Sequence, residues 1–137
     1  MRILLVDDSK TIRQANLAAL EGAAYEVICA EDGEAALAMA REEKPDLILL
    51  DMILPKLSGP EVLRKLKTDP ATSSIPVVVL SSLSEKNREK LMEDGAEDYI
   101  EKNSLMPVYG INLLPQMLET IVLRLNRKRG TPFPPNR

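Results

Sequence analysis

Three apolar runs in this chain end in side chains able to do chemistry. Ile3-Leu4-Leu5-Val6 leads into Asp7-Asp8, Leu47-Ile48-Leu49-Leu50 into Asp51, and Val77-Val78-Val79-Leu80 into Ser81-Ser82. The shorter segment Asp98-Tyr99-Ile100-Glu101 delivers Lys102 in the same way. If these segments are neighbouring strands of a parallel sheet, their C-terminal ends share one edge, the edge at which open α/β sheets bind ligands. Three carboxylates, a hydroxyl and an ammonium then converge on one small region. That set suits a metal ion together with a phosphoryl group.

What the chain lacks narrows the chemistry further. It has no histidine, which removes histidine metal sites, Ser-His or Cys-His nucleophile pairs and an internal phosphohistidine. Any metal must be held by oxygen ligands, which points to a hard cation such as Mg²⁺. The single Cys29 has no partner for an internal disulfide and favours a reducing, cytoplasmic setting. A net charge of -3 and an aromatic content of 3% argue against direct nucleic-acid binding, by electrostatics or by base stacking. No apolar run approaches the ~18 residues of a membrane span.

The elements that must position these groups alternate in type. Arg2 to Val6 reads as a strand buried on both faces. Ser9 is placed to cap a helix running to about Glu21, with Ile12, Ala15, Ala19 and Leu20 as its inward candidates. Tyr25 to Ala30 reads as a second strand, and Asp32 as the cap of a helix over 33–43, ended by Lys44-Pro45. Leu47 to Asp51 is a third strand, and Gly59 opens a helix to about Lys67 with Pro60 in its first turn. Val77 to Ser81 is a fourth strand, and Ser82 and Glu85 have capping-box spacing before a helix to about Glu93. Asp98 to Lys102 is a fifth strand. The last helix, about Asn112 to Lys128, carries Leu114, Met117, Leu118, Ile121, Val122 and Leu125 at helical spacing. Five β-α units with short right-handed crossovers imply one doubly wound, five-stranded parallel sheet. Residues 1–128 form that domain, and 129–137, with three prolines from Thr131 on, are expected to be a disordered tail or linker.

The order Asp7-Asp8, Asp51, Leu54-Pro55-x-x-x-Gly59, Ser81 and Tyr99-x-x-Lys102 resembles the receiver domain of bacterial two-component response regulators, of the chemotaxis-regulator type. The resemblance covers about residues 1–128. It implies a flavodoxin-like three-layer sandwich with strand order 2-1-3-4-5. It also implies a signalling switch, not a turnover enzyme, limited to Mg²⁺-dependent self-phosphorylation and slow autodephosphorylation. Asp51 is then the phosphoacceptor. Asp7, Asp8, Asp51 and the backbone carbonyl of Ile53 are the Mg²⁺ ligands, which relieve the mutual repulsion of the carboxylates. Lys102 pairs with Asp51 and later with phosphate oxygens, Ser81 donates to the phosphate, and Tyr99 turns inward as the switch. The implied partners are a sensor histidine kinase or phosphotransfer protein as donor and a downstream protein or fused effector as output. A homodimer through residues 83–127 is left open.

Each residue also has a purely structural reading. Asp8 or Ser9 can cap a helix, Ser81 can be a turn residue and Lys102 a solvated charge; their coincidence at one edge favours the functional reading. Cys29 reads as a small buried strand residue. Arg124, Arg127, Lys128 and Arg129 read as a complement to the carboxyl end of the last helix dipole. A haloacid-dehalogenase-like phosphatase needs a second aspartate where this chain has Ile53. A flavodoxin-type flavin carrier needs a Ser/Thr/Gly-rich loop where it has Asp7-Asp8-Ser9-Lys10. The runner-up is a phosphorylation-independent protein-binding module with the receiver fold.

Several positions depart from the family pattern. Asn103 follows Lys102 where the family has a cis proline, so the Lys102 loop is expected to have its own geometry. The segment Asn103 to Ile111 is several residues longer than usual, and Leu54 replaces a methionine. Ile53 and Leu83 stand at the two variable positions flanking the phosphate. Both are apolar, which predicts hindered access of the hydrolytic water and a long-lived phosphoryl state.

Overall fold

The computed structural model describes residues 1–82, 88–106, 110–130 and 132–135. Strands β1 (Arg2–Val6), β2 (Glu26–Ala30), β3 (Leu47–Asp51), β4 (Val77–Ser81) and β5 (Asp98–Glu101) form one parallel sheet in the order β2-β1-β3-β4-β5. Between and after them run helices α1 (Lys10–Gly22), α2 (Gly33–Glu43), α3 (Gly59–Thr68), α4 (Arg88–Glu93) and α5 (Leu114–Lys128). The doubly wound sheet and strand order expected from the resemblance are both present.

The period-two alternation of the strands divides the core in two. Leu4, Val6, Ile48, Leu50, Val77 and Val79 point to one face and pack with Ala36, Ala40, Val62, Leu63, Leu66 and Leu91 of α2, α3 and α4. Ile3, Leu5, Leu47, Leu49, Val78 and Leu80 point to the other and pack with Leu20 of α1 and Leu114, Leu118, Ile121 and Leu125 of α5. β1, β3 and β4 are covered on both faces, which is why they read as unbroken apolar runs. Helix starts follow capping chemistry: Ser9, Asp32 and Ser58 accept from the backbone N–H groups of Ile12, Ala35 and Glu61. Lys44 ends α2 in the left-handed region, at φ 46°, and Gly95 makes the turn after α4 at φ 111°.

Three expectations differ from the structure. On α1, Ile12 and Ala15 are exposed, and Asn16 and Leu20 are the buried residues. The start of α1 overhangs the strand ends, so its inward stripe begins one turn later than apolar spacing suggests. β5 stops at Glu101, and Lys102–Ser104 form a 3-10 turn. α5 begins at Leu114, because Asn112 spends its side-chain oxygen on the Leu114 N–H at 2.9 Å. The capping box of Ser82 and Glu85 falls partly outside the described residues, as does Leu83.

The chain end also departs from a disordered tail over 132–135. Phe133 is 7% exposed and joins the core cluster that contains Met1, Tyr25 and Leu125. Its N–H donates to Asn126 Oδ1 at 2.9 Å, and the N-terminal amine donates to Pro135 O at 3.1 Å. The Arg129 guanidinium lies 3.8 Å from the Phe133 ring centroid. An aromatic residue beside a helix end, with the first strand's N-terminus at hand, has apolar surface to bury.

Candidate functional site

Parallel register places the chemistry at one edge. Asp51 lies opposite Leu80, and Ser81 lies opposite Glu101, so the ends of β3, β4 and β5 are level. Asp7 follows the last residue of β1, and its N–H donates to Ala30 O at 3.1 Å. Asp7 is fully buried, Asp51 is 4% exposed and Ser81 is fully buried, whereas Asp8 is exposed. Carboxylate oxygens of Asp7, Asp8 and Asp51 all lie within 4.8 Å of one another. This cluster opens to solvent on the side of Asp8.

Lys102 closes the cluster from the turn that follows β5. Its Nζ stands 3.0 Å from Asp7 Oδ2 and 3.0 Å from Asp51 Oδ2. The 3-10 turn that replaces the last expected strand residue therefore does not carry Lys102 away. The remaining lone pairs are fixed by backbone. Ser9 N donates to Asp7 Oδ1 at 2.9 Å, and Ile53 N donates to Asp51 Oδ1 at 3.3 Å. Arg13 Nη1 donates to Asp7 O at 2.8 Å. Arg13 contributes from one turn into α1, and nothing in the Asp7-Asp8 motif announced it.

The electrostatics show an unbalanced site. Burial pushes the Asp51 carboxyl above the ordinary carboxylate range; the hydrogen bond and charge of Lys102 oppose this, and the charge of Asp7 adds to it. Burial alone pulls the Lys102 ammonium down, but hydrogen bonds and attraction from Asp51 and Asp7 outweigh it, and the net direction is up. Among the described residues, one ammonium, that of Lys102, faces three clustered carboxylates. Their all-oxygen donor set, excess negative charge and solvent-open side fit a hard divalent cation.

The β3–α3 loop is cinched against this edge. Gly59 N donates to Met52 O at 3.0 Å, and a Cβ on Gly59 would stand 2.3 Å from Met52 Cα and 2.6 Å from Asp51 O. Only glycine permits that approach, which explains the Gly59 of the sequence pattern. Ile53 is 59% exposed beside the cluster. Tyr99, expected to turn inward as a switch, is already buried here, at 7% exposure, with Val77, Val79 and Leu91 in its cluster. Next to it, Asp98 ties three elements together, with Arg124 Nη2 at 2.7 Å from α5 and Arg88 Nη2 at 3.5 Å from α4. Arg124 thus serves a neighbouring carboxylate besides lying near the end of its helix.

Comparison with known proteins gives a consistent family. The model described as the response regulator receiver domain matches residues 3–107. The phosphate regulon transcriptional regulatory protein PhoB of Pseudomonas aeruginosa is 46% identical over 101 residues, which is 73% of this chain and 44% of PhoB. Protein PilH of the same organism is 40% identical over 103 residues, covering 74% of this chain and 84% of PilH. The Caulobacter vibrioides response regulator PleD is 45% identical over 102 residues, but the chain spans only 22% of its length. Among solved structures, the receiver domain of Francisella response regulator 1452 superposes with a TM-score of 0.77 at 25% identity, covering 93% of this chain and 98% of that one. The chemotaxis response regulator CheY4 of Vibrio cholerae gives a TM-score of 0.74 at 29% identity, covering 90% and 97%.

Proposed function

We propose a function for this chain from one premise: it belongs to the response regulator receiver domain family. Receiver domains are signalling modules of two-component systems. This one, we infer, is a phosphorylation-dependent switch that accepts a phosphoryl group on Asp51. The observation that carries the reading is the Lys102 ammonium, 3.0 Å from both Asp7 and Asp51, over a cluster of three carboxylates.

The chain's own groups divide the work. The ionised Asp51 carboxylate attacks the phosphorus of a partner's phosphohistidine. The P–N bond breaks, its electron pair leaves with the imidazole, and an acyl phosphate forms on Asp51. Lys102 exchanges Asp51 for the phosphoryl oxygens as charge builds there, and the Ser81 hydroxyl donates to one of them. Asp7, Asp8, Asp51 and the Ile53 carbonyl are the groups that would hold Mg²⁺. Bound there, the ion supplies charge neutralisation to carboxylates and phosphoryl oxygens alike.

The donor is external because the chain has no histidine; it is a sensor kinase or a phosphotransfer protein. The output is a protein surface, read by a downstream protein or a fused effector. That surface is the face of α4, β5 and α5, where Arg88, Asp98 and Arg124 form one ionic link, and a homodimer through residues 83–127 would use the same face. Repacking of Ser81 and Tyr99 biases this face between two states by the differential affinity of the phosphoryl group for them. No helix among the described residues is long and apolar enough to cross a membrane.

Acetyl phosphate with Mg²⁺ tests the assignment. Intact-mass spectrometry should show one phosphoryl adduct on the wild type and none on Asp51→Asn. Equal labelling of the variant rejects Asp51 as acceptor. Mg²⁺ titration with and without beryllofluoride separates the switch from a phosphorylation-independent module, which shows no linkage between the two ligands.

A further inference from the structure

Helix α1 buries two side chains, Leu20 and Asn16. Asn16 is fully buried and polar. Its Oδ1 accepts a hydrogen bond of 2.9 Å from Asn112 Nδ2, 96 residues along the chain. Asn112 Oδ1 is committed to the Leu114 N–H at 2.9 Å. That bond orients the Asn112 amide, so its Nδ2 must face Asn16, and Asn16 must present its oxygen. Asn16 Nδ2 has no protein partner among the described residues.

From Asn112 the hydrogen bonds lead to the reactive edge. Leu113 N donates to Leu105 O at 2.7 Å, and Leu105 N donates to Lys102 O at 3.1 Å. Packing between this segment and α1 is incomplete. A cavity of about 480 Å³ is bordered by Ile12 and Asn16 on one side and Lys102, Leu105 and Met106 on the other. Asn103, not a ring-locked residue, follows Lys102, so the backbone there keeps its freedom in φ. Leu105 anchors this segment in the core cluster with Leu20 and Leu114, and the amide pair adds a polar tie to α1 beside the cavity.

We propose that Asn16 and Asn112 form a buried amide latch that positions Lys102 for the phosphoryl group. The proposal rests on the reading of Lys102 as a phosphoryl ligand. Asn16 acts through Lys102 and touches no reacting atom, so it is a positioning residue. Breaking the latch leaves one amide buried and unsatisfied and lets the turn at Lys102–Ser104 sample other arrangements. The carboxylate cluster, held by β1 and β3, is untouched. The signature is therefore selective: the affinity for a phosphoryl mimic falls while the affinity for Mg²⁺ is kept.

Calorimetric titration of the full chain with beryllofluoride at saturating Mg²⁺ tests this. Asn16→Leu and Asn112→Ala should weaken beryllofluoride binding about tenfold and leave Mg²⁺ binding no weaker. Asn112→Asp should restore it, because the carboxylate still caps Leu114 and Asn16, by turning its amide, can donate Nδ2 to it. In a Lys102→Ala background, titrated to high enough concentration to saturate, the same substitutions should have no further effect. Equal weakening in that background, or unchanged beryllofluoride affinity in folded Asn16→Leu and Asn112→Ala proteins, overturns the latch. Absence of beryllofluoride binding by the wild type instead overturns the receiver reading, and this role for the latch with it.

Discussion

Lys102 Nζ lies equidistant from Asp7 Oδ2 and Asp51 Oδ2, at 3.0 Å from each. The ammonium therefore neutralises part of the charge that attracts a cation, and in the proposed function it is also the group that meets phosphoryl oxygens. These two roles predict opposite responses to its removal. Lys102→Met should strengthen Mg²⁺ binding roughly tenfold, since a positive charge 3.0 Å from the Asp7 and Asp51 carboxylates is gone. The same change should weaken beryllofluoride binding by at least about tenfold. Calorimetry reads both, and a parallel loss of the two affinities would contradict the division of labour.

The repulsion within the cluster has a pH signature. Asp51 is held above the ordinary carboxylate range, chiefly by burial. In the metal-free fold it keeps its proton where the unfolded chain has lost it, so the native state binds more protons. Stability then falls as pH rises from the ordinary carboxylate value, about 3.9, through the raised one. Asp51→Asn removes that loss. In EDTA near neutral pH, the variant should therefore melt above the wild type. Added Mg²⁺ should close or reverse the gap, because the wild type gains more from the ion. A variant that melts below the wild type in EDTA would show that the bond to Lys102 outweighs the burial cost.

Gly59 tests how the strand end and the β3–α3 loop are joined. A Cβ there would meet Met52 Cα at 2.3 Å and Asp51 O at 2.6 Å, both backbone atoms that cannot yield without moving Asp51. Gly59→Ala should destabilise the fold by about 1–3 kcal/mol and weaken Mg²⁺ binding as well. Urea denaturation and metal titration measure the two effects. Unchanged Mg²⁺ affinity would mean that the strain is absorbed on the α3 side.

How much of this was legible in the sequence depended on whether a signal was local. Strands buried on both faces announce themselves as unbroken apolar runs, and Ser9, Asp32 and Ser58 cap helices by contacts three residues away. The edge carboxylates and Lys102 followed from strand ends plus a parallel sheet. What stayed hidden was long-range. The inward face of α1 is set by where it overhangs the sheet, so Ile12 and Ala15 were misread and Asn16 missed. Its partner Asn112 lies 96 residues away, and no spacing rule links them. Phe133 looked like part of a proline-rich tail because the apolar surface that receives it, around Met1, Tyr25 and Leu125, is assembled only by folding.

That docked chain end makes its own prediction. Phe133 buries its ring against the α1–α5 side of the core and stacks under Arg129. Phe133→Ala should cost about 2–3 kcal/mol, and truncation after Lys128 should cost at least as much. Chemical denaturation gives the answer without reference to phosphorylation. If both proteins unfold at the wild-type midpoint, residues 132–135 contribute nothing to the fold.

Cys29 links the opposite edge of the sheet to the same electrostatics. It sits on β2, half-buried, in register with Leu5. Burial pushes its thiol above the ordinary range; the charge of Arg13 opposes this and that of Glu21 reinforces it. The folded protein should therefore react with iodoacetamide near pH 8 at least about fivefold more slowly than the unfolded chain, because the thiolate is the nucleophile. The linked stability sign is the same as for any acid with a raised value: the fold loses stability as pH climbs through the window above the free thiol range. Arg13→Ala separates charge from access. Removing the guanidinium should move the alkylation midpoint to still higher pH, whereas a simple gain of access would speed the reaction at every pH. Because Arg13 also donates to Asp7 O at 2.8 Å, the same variant removes a positive charge beside the carboxylate cluster and should strengthen Mg²⁺ binding; a loss of affinity instead would show that this bond positions Asp7.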